Sequence, residues 1–412
     1  MAGPGMVIVG AGEAGARAAA ALREEGWGGP VTLIGAEIHP PYERPPLSKA
    51  ALLAEAEPAA ATVLDRGRAA ALGIDLVLGA EVTAINRPAR TVTLADGRSL
   101  PYARLLLATG ARPRRLAVPG HERALYLRRF DDALALRPWL RPGVRLAIIG
   151  GGFIGLELAA AATARGCAVT VIEALPRILM RGVPAELAVV IADRHRAAGV
   201  DLRTGVGVER IAPDGAVVLA DGGRVAADAV IAGIGAVPEA ALAEAAGLAV
   251  NNGIAVDATL ATADPDIFAA GDCAACAHPL YPGRRIRLEA WRNALDQGGL
   301  AARNLLGRGE AITAVPWFWS DQYELSLQIA GLADEGRSTV GRDLGDGARL
   351  LFHLAADGRL VAACGIGPLG KVGREIRLAE MLIARRAAPD PAALAAPAVR
   401  LKALLAEPVP PA

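Results

Sequence analysis

The stretch MVIVGAGEAG, residues 6–15, decides the fold of the first part of this chain. An apolar run typical of a buried strand enters a Gly-x-Gly-x-x-Gly turn, and an Ala-rich helical run comes after it. Strand, glycine turn and helix in this order begin a βαβ unit whose turn receives the pyrophosphate of a dinucleotide. We call residues 10–15, with Gly10, Gly12 and Gly15, the first fingerprint.

A second copy of this pattern lies at LAIIGGGFIGLE, residues 146–157. We call residues 150–155, with Gly150, Gly152 and Gly155, the second fingerprint. A single Gly-rich turn is weak evidence, but two copies in matching context predict two dinucleotide sites in one protein. The pairing indicates a flavin that is held permanently and a nicotinamide that visits it.

The two copies are also alike in the segments on their C-terminal side. Residues 6–35 and 146–173 each read as strand, turn, helix and strand, and a right-handed crossover makes the two strands of each unit parallel. A hairpin-like segment TVTLADGRSL at 91–100 resembles VVLADGGRV at 217–225. A duplicated domain explains these repeats.

Residues 267–272 read as a strand entering a Gly-Asp turn, which returns the chain to the first domain, and the composition changes after Pro316. We therefore predict an α/β protein with two Rossmann-like dinucleotide-binding domains, the first discontinuous, and a small α+β C-terminal domain. The predicted bounds are 1–112 and 251–315 for the FAD-binding domain, 113–250 for the NADH-binding domain, and 316–412 for the C-terminal domain.

Composition excludes several classes of protein. The 44 basic and 43 acidic residues nearly cancel, so neither nucleic acid nor an anionic membrane is expected as a partner. The five histidines lack metal-ligand spacing, so no metal is expected. Residues 146–164 are apolar but contain the fingerprint glycines and Glu157, which favours strand, turn and helix over a membrane span. Few cysteines and no basic start to residues 1–21 predict a cytoplasmic protein without a signal peptide.

An acidic residue is expected about twenty residues beyond each fingerprint, where it binds the ribose hydroxyls. Glu37 and Glu173 occupy these positions. A carboxylate there accepts a hydrogen bond from a 2′-hydroxyl and repels a 2′-phosphate, so Glu173 favours NADH over NADPH. Arg177 lies four residues beyond Glu173 and is expected on the surface.

Seven motifs occur in order along most of the chain: VIVGAGEAG, RPPLSK at 44–49, LLLATGARPR, GGGFIGLE, GIGAVP at 233–238, FAAGDCA and PWFWSDQYE. Together they resemble the oxygenase-coupled, FAD-dependent NADH–ferredoxin reductases, the putidaredoxin reductase-like family. The glycine and Gly-Asp turns mark only the wider group of two-Rossmann flavoproteins, whereas RPPLSK and PWFWSDQY are much more specific.

The resemblance implies two catalytic residues. Lys49 matches the lysine that reaches the flavin N5 edge, where an ammonium stabilises negative charge and orients the nicotinamide. Glu157 matches the acid near that lysine. Asp272 matches the residue that holds the ribityl chain, and the segment 287–298 is expected to begin a helix whose positive end faces the pyrimidine ring, with Trp291 in contact with the flavin.

The motifs and the resemblance together give two sets of cofactor contacts. The FAD set comprises Gly10, Gly12, Ala14, Gly15, Ala36, Glu37, Arg44, Lys49, Val82, Ala108, Arg128, Gly271, Asp272 and Trp291. The NADH set comprises Gly150, Gly152, Ile154, Gly155, Glu157, Glu173 and Gly235.

The chain departs from the family pattern at Ala36, where the family has an acid, so ribose binding either falls to Glu37 or is weaker. The resemblance also implies a [2Fe-2S] ferredoxin partner that feeds a monooxygenase or dioxygenase. Trp317, Trp319 and Lys402 are its candidate contacts, against an ordinary aromatic strand as the alternative for the two tryptophans.

Cys273 and Cys276 form a Cys-x-x-Cys pattern, which a redox dithiol also shows. We interpret it as a structural coincidence within the Gly-Asp-Cys turn. Two other functions stay open: an NADH oxidase or thiol–disulfide reductase of the same fold, and a redox sensor that resembles apoptosis-inducing factor.

Overall fold

The computed structural model describes residues 3–406. The ends of the first and last predicted domains, residues 1–2 and 407–412, lie outside the described residues. The strands of the described part, in chain order, are β1 (Gly5–Val9), β2 (Val31–Gly35), β3 (Ile74–Leu78), β4 (Val82–Asn86), β5 (Thr91–Leu94), β6 (Ser99–Leu107), β7 (Ala111–Pro113), β8 (Ala124–Leu125), β9 (Arg145–Ile149), β10 (Ala168–Glu173), β11 (Asp201–Thr204), β12 (Val208–Ile211), β13 (Val217–Leu219), β14 (Arg224–Val225), β15 (Ala229–Ala232), β16 (Ala236–Pro238), β17 (Ile254–Val256), β18 (Ile267–Ala269), β19 (Ala274–Ala277), β20 (Arg285–Ile286), β21 (Trp317–Gln322), β22 (Leu325–Gly331), β23 (Ser338–Gly345), β24 (Ala348–Leu354) and β25 (Leu360–Pro368).

The helices are, in the same order, α1 (Glu13–Glu24), α2 (Ala50–Leu53), α3 (Arg66–Ala71), α4 (Phe130–Leu136), α5 (Phe153–Ala164), α6 (Ala185–Ala197), α7 (Ala241–Ala245), α8 (Trp291–Leu305), α9 (Gly373–Ala384), α10 (Pro391–Ala395) and α11 (Leu401–Leu404). Within residues 3–406, no helix is long and apolar enough to cross a membrane.

The chain divides into two compact units. The first comprises residues up to 44, 59–112 and 236–314, and the second comprises 45–58, 113–235 and the residues from 315 on. The segment 45–58, which carries Lys49, therefore belongs to the second unit although it lies between two parts of the first in sequence.

The first unit is built on a sheet with the order β3-β2-β1-β6-β5-β4, to which β18 adds by parallel pairing with β6. The strands β1, β2, β3 and β6 pair in parallel, while β4, β5 and β6 form the predicted antiparallel excursion. The return of the chain through residues 267–269 is thus confirmed. Alanines on the buried face of α1 let this helix pack closely against α8. Gly298 of α8 is required for this approach, because a Cβ there would lie 2.5 Å from the Ala14 carbonyl oxygen.

The second unit contains a five-stranded sheet in the order β11-β10-β9-β15-β8, whose pairs are parallel. A separate sheet β12-β13-β14 repeats the excursion of the first unit, with Val217 paired to Val225. A third sheet, β21-β22-β25-β24-β23, is antiparallel and packs against α9. Two parallel Rossmann-like sheets and a C-terminal antiparallel sheet with helices confirm the predicted fold class.

Candidate active site

The first glycine of each fingerprint has a backbone conformation that L-residues rarely adopt. Gly10 has φ of 112° and Gly150 has φ of 110°. A Cβ on Gly10 would lie 2.1 Å from the Ala108 carbonyl oxygen, and one on Gly150 would lie 2.5 Å from that of Gly233. Both the positive φ and the close backbone neighbour therefore require glycine here.

The third glycine allows the helix to approach the strand that precedes it. A Cβ on Gly15 would lie 1.9 Å from the carbonyl oxygen of Gly10, and one on Gly155 would lie 2.0 Å from that of Gly150. Since the obstructing atoms belong to the backbone, no side-chain rearrangement relieves the overlap. These glycines serve the protein's own packing.

The middle glycine serves a different purpose. Gly12 and Gly152 have φ of −94° and −84°, which any residue adopts. A Cβ on Gly12 would meet no atom within 4 Å, and one on Gly152 only the Gly233 carbonyl oxygen at 3.9 Å. The protein itself does not require glycine at either position, and a side chain would fill the face where a pyrophosphate approaches the helix N-terminus. Both turns thus suit dinucleotides such as FAD and NADH.

Glu173, the last residue of β10, lies beside the second fingerprint. Its Oε2 accepts a hydrogen bond from the Gly151 backbone nitrogen at 2.7 Å, and its Oε1 accepts one from Leu175 at 2.8 Å. The carboxylate is thus fixed at the end of the strand, where the ribose acid is expected. Arg177 is half-buried rather than on the surface, and its guanidinium donates to the carbonyl oxygens of Ile178 and Val183.

The residue equivalent to Glu173 in the first unit is Gly35. The Gly10 nitrogen donates to Ile34 as the Gly150 nitrogen donates to Ile172, so the next residues, Gly35 and Glu173, correspond. A Cβ on Gly35 would lie 2.6 Å from the Cβ of Ala11. Ala11 in turn corresponds to Gly151. Glu173 therefore faces Gly151 in the second unit, whereas Gly35 faces Ala11 in the first.

The carboxylate of Glu37 is held by the loop after β2. Its Oε2 accepts a hydrogen bond from the Tyr42 hydroxyl at 2.6 Å, and its Oε1 pairs with Nη2 of Arg44 at 2.9 Å. Ala36 is exposed and offers no polar side-chain group. Glu37 is thus the acidic residue that follows β2. Its carboxylate is held by Tyr42 and Arg44 of the following loop, whereas that of Glu173 is held by the fingerprint backbone.

The Gly-Asp turn meets the first fingerprint directly. Gly271 has φ of 81°, and a Cβ there would lie 3.1 Å from the Cβ of Ala14. The Gly271 nitrogen donates to Oε1 of Gln297 on α8, which fixes the turn against the helix that begins at Trp291. Asp272, the next residue, is thereby placed beside the first fingerprint.

Glu13, the first residue of α1, was not among the predicted site residues. Its Oε2 is buried and has no hydrogen-bond partner among the described residues. Burial and the nearby Glu43 carboxylate raise the pKa of Glu13 to about 7, although the neighbouring Trp291 indole acts to lower it. A carboxyl group with this pKa changes charge near neutral pH at the point where a pyrophosphate is expected.

The second unit joins the two predicted catalytic residues. The Lys49 ammonium lies 2.7 Å from Oε2 of Glu157, and their side chains are 27% and 5% exposed. Ser48 donates to the same Oε2, and Ser320 of β21 donates to Oε1 at 2.6 Å. Arg137 holds the segment that carries Lys49, because its guanidinium donates to four carbonyl oxygens of residues 51–56.

The remaining predicted residues fall in both units. In the first, Ala108 comes directly after β6 and its nitrogen donates to the Val9 carbonyl, while Val82 begins β4. In the second, Ile154 is 44% exposed on the first turn of α5, Gly235 has φ of 105°, and the Arg128 nitrogen donates to Asp132. Arg128 and Lys49 thus belong to the second unit, whereas the other residues predicted for FAD belong to the first.

All four cysteines are buried free thiols. Cys273 donates to the Leu107 and Ala270 carbonyl oxygens, and Cys276 donates to that of Asp257. Burial raises the pKa of both thiols, that of Cys276 to about 12. Burial thus disfavours the thiolate, which is the form that disulfide exchange requires.

The predicted partner contacts lie in the C-terminal part of the second unit. The rings of Trp317 and Trp319 stack on one face of β21 with centroids 5.2 Å apart, and both are partly exposed. Between them, Phe318 packs against Phe153 of α5 with centroids 4.2 Å apart. Lys402 is exposed on α11. Phe318 therefore faces α5, and Trp317 and Trp319 lie on the opposite face of β21.

Sequence reasoning missed Glu13, Ser48, Gln297 and Ser320. Ser48 and Ser320 stand inside RPPLSK and PWFWSDQYE, so the motifs carried the signal although no role was assigned to the hydroxyls. Glu13 stands inside the first fingerprint, but its burial depends on residues distant in sequence.

Two family descriptions match the chain. "Pyridine nucleotide-disulphide oxidoreductase" matches residues 4–298, and "Reductase C-terminal" matches residues 317–405. The ferredoxin–NAD(+) reductase component of the anthranilate 1,2-dioxygenase system of Burkholderia cepacia is 46% identical over 407 residues, which cover 97% of this chain and 98% of that protein. Putidaredoxin reductase CamA of Pseudomonas putida is 40% identical, with 97% and 96% covered.

Solved structures are similar over the same extent. The covalent putidaredoxin reductase–putidaredoxin complex matches with a TM-score of 0.92 and 39% identity, covering 98% of this chain and 99% of that one. The ferredoxin reductase for the CYP199A2 system from Rhodopseudomonas palustris matches with a TM-score of 0.93 and 35% identity, covering 98% and 100%.

Proposed function

Because the chain belongs to the pyridine nucleotide-disulphide oxidoreductase family, we propose that it oxidises NADH and passes the electrons through FAD to a [2Fe-2S] ferredoxin that supplies an oxygenase. Membership confirms the resemblance drawn from the motifs, the two cofactors FAD and NAD(H), and the activity of a ferredoxin reductase. The ferredoxin partner agrees with the complex of the similar putidaredoxin reductase.

One observation carries the proposal beyond the family: the Lys49–Glu157 ion pair links RPPLSK to the helix of the second fingerprint. Bound FAD exchanges two electrons with a nicotinamide and single electrons with an iron–sulfur protein, which is the chemistry of the cofactor. We assign to Lys49 a fixed positive charge at the flavin and to Glu157 the task of holding that ammonium in place. The first fingerprint, Glu37 and Asp272 hold FAD.

Glu173 supports the preference for NADH. Its carboxylate already accepts from two backbone nitrogens, so it stays at the strand end as a negative charge beside the ribose position. A 2′-phosphate placed there meets repulsion rather than a basic group, because the nearby Arg177 is engaged with backbone carbonyl oxygens.

The thiol–disulfide alternative has no support in the geometry of the cysteines. Cys273 and Cys276 are 0% and 1% exposed, and burial raises the pKa of both. No specific observation favours a redox sensor over a reductase. We also propose a cytoplasmic location, because a protein with four free thiols suits a reducing compartment.

We propose that Trp317 and Trp319 form part of the surface on which the ferredoxin docks, with Lys402 as a basic contact. The net charge of +1 gives little long-range steering, so local groups must orient an acidic partner.

The test is steady-state reduction of cytochrome c by the FAD-loaded protein, with and without purified [2Fe-2S] ferredoxins. We expect NADH to support a rate that depends on ferredoxin concentration and NADPH to support a much lower one. A rate independent of every ferredoxin, with a long-lived complex of the flavin and NAD, would favour the redox sensor. Loss of the ferredoxin-dependent rate in the double variant Cys273→Ser, Cys276→Ser would favour the thiol enzyme.

A further inference from the structure

A chain of hydrogen bonds within the second unit ends on the carboxylate of Glu157. The Tyr323 hydroxyl lies 3.1 Å from Nδ1 of His195, and Nε2 of His195 lies 2.8 Å from Oε1 of Gln322. Nε2 of Gln322 donates to the Ser320 hydroxyl at 3.0 Å, and this hydroxyl donates to Oε1 of Glu157 at 2.6 Å. His195, Gln322, Ser320 and Glu157 are each no more than 5% exposed.

The chemistry of the groups fixes the direction of every bond in this chain. An ionised carboxylate only accepts, so the Ser320 hydroxyl donates to Glu157. Since that hydroxyl receives its own bond from the amide NH₂ of Gln322, the amide oxygen faces His195, whose Nε2 must carry the hydrogen. Nδ1 then accepts from Tyr323. Burial lowers the pKa of His195, which keeps the ring in this neutral form.

All donors therefore point toward Glu157. A buried carboxylate has lost its water, so each of its oxygens needs a donor from the protein. Ser48 and Lys49 serve Oε2, and Ser320 serves Oε1. A hydroxyl can rotate about its C–O bond. Because the Gln322 NH₂ group donates to the Ser320 oxygen, the hydrogen of that hydroxyl stays directed at Glu157.

We propose that Gln322 and His195 are positioning residues, which orient the Ser320 hydroxyl and thereby hold Glu157 with Oε2 presented to Lys49. This inference rests on the function proposed above for the Lys49–Glu157 pair. It assigns a task to Ser320 and Gln322 of the PWFWSDQYE motif, and it places His195, which no motif includes, in the support of the site.

The decisive variant is Gln322→Glu, which keeps the shape of the side chain but replaces the NH₂ donor by an acceptor. Ser320 then donates to residue 322, and Oε1 of Glu157 loses its donor. The matched control is Gln328→Glu on the neighbouring strand β22, where the Gln328 amide donates to the Ser326 hydroxyl at 3.4 Å outside this network. A second pair compares His195→Leu with His353→Leu, since His353 is also buried and contacts Thr339.

Two measurements on the FAD-loaded protein test the proposal. The first is acetylation of Lys49 by acetic anhydride, quantified by mass spectrometry, because an amine that its carboxylate no longer holds reacts more readily with the anhydride. The second is stopped-flow reduction of the flavin by NADH over a range of NADH concentrations. We expect Gln322→Glu to raise Lys49 acetylation several-fold and to lower the limiting reduction rate about tenfold, the range of one lost hydrogen bond to a charged group, with NADH affinity nearly unchanged.

His195→Leu is expected to act in the same direction, whereas His195→Gln, which restores a donor to Gln322, is expected to recover most of the loss. Lys49 acetylation equal to that of the matched controls in both Gln322→Glu and His195→Leu overturns the inference. If Gln322→Glu does not fold, His195→Leu and its rescue decide. Glu157→Gln distinguishes the role of the ion pair from the positioning role of Gln322 and His195. An unchanged reduction rate in Glu157→Gln refutes the role of the ion pair. A reduction rate that falls in Glu157→Gln but not in the Gln322 and His195 variants refutes only the positioning role.

Discussion

Replacing the middle and the third glycine of the second fingerprint by alanine should have opposite consequences. In Gly155→Ala the new Cβ starts 2.0 Å from the Gly150 carbonyl oxygen, whereas real Cβ atoms essentially never come within 3.0 Å. Helix α5 must therefore move about 1 Å from β9, and overpacking of this kind costs about 1–3 kcal/mol. At about 2–4 °C per kcal/mol for a unit of this size, the second unit should melt about 2–12 °C lower.

In Gly152→Ala the methyl group meets only one atom, at 3.9 Å, and the backbone angles suit alanine. The free energy of unfolding should therefore change by no more than about 1 kcal/mol, and it should rise if it changes, because alanine restricts the unfolded chain. The methyl group occupies the approach of the pyrophosphate, so NAD⁺ should bind at least about tenfold more weakly, as for one lost hydrogen bond to a charged group.

Differential scanning calorimetry and isothermal titration of NAD⁺ into the FAD-loaded variants check both results. The matched pair Gly12→Ala and Gly15→Ala in the first fingerprint should show the same division for FAD retention, since a Cβ at Gly12 is equally free and one at Gly15 equally obstructed. Wild-type NAD⁺ affinity in Gly152→Ala would refute the assignment of that face to the pyrophosphate. An unchanged melting temperature in Gly155→Ala would refute the steric reasoning.

Three further predictions concern charge and sulfur. The pKa of Glu13 is raised from 4.5 to about 7, so the folded state binds its proton more tightly and stability rises as the pH falls from 7 to 4.5. Glu13→Gln should remove this pH dependence and stabilise the protein at pH 8 by about 1–2 kcal/mol, after allowance for solvent screening, and equal melting curves of variant and wild type at pH 8 would contradict it. Glu173→Ala should raise the KM for NADH and narrow the ratio of NADH to NADPH efficiency, measured by the same cytochrome c assay; an unchanged ratio would show that the acid does not select the cofactor. The double variant Cys273→Ser, Cys276→Ser should keep ferredoxin-dependent turnover within about twofold of wild type, since both buried thiols act as small packing groups.

The local pattern predicted the parts of the fold that depend on neighbours in sequence. Both βαβ units and the repeated hairpins were predicted from apolar runs and glycine turns, because these signals lie within the segments themselves. The return through β18 was predicted from its own strand and Gly-Asp turn, although β18 pairs with the distant β6. The C-terminal domain was predicted as α+β, but its antiparallel sheet and strand order were not, since pairing between β22 and β25 joins residues far apart in the chain.

The site was predicted residue by residue only where a motif carried it. The resemblance predicted that Glu157 lies near Lys49, and in the structure the Lys49 ammonium lies 2.7 Å from Oε2 of Glu157. The bond from Ser320 to Glu157 was not anticipated, because hydroxyl direction depends on the fold of three separate segments. Counting residues from each fingerprint also equated Glu37 with Glu173, whereas the strand register equates Gly35 with Glu173, since the count ignores where the strand ends.

In the first unit the smaller Gly35 faces the larger Ala11, and in the second unit the larger Glu173 faces the smaller Gly151. This reciprocal arrangement constrains how the two halves of the chain could have diverged. An acid moved to position 35 alone would meet the Ala11 side chain, because a Cβ at position 35 already lies 2.6 Å from the Cβ of that alanine. Ala11 must first become glycine, a step that brings no acid by itself. Moving this acid from one half to the other one substitution at a time therefore passes through an intermediate with glycine at both positions, so the order of the two substitutions matters as well as their number.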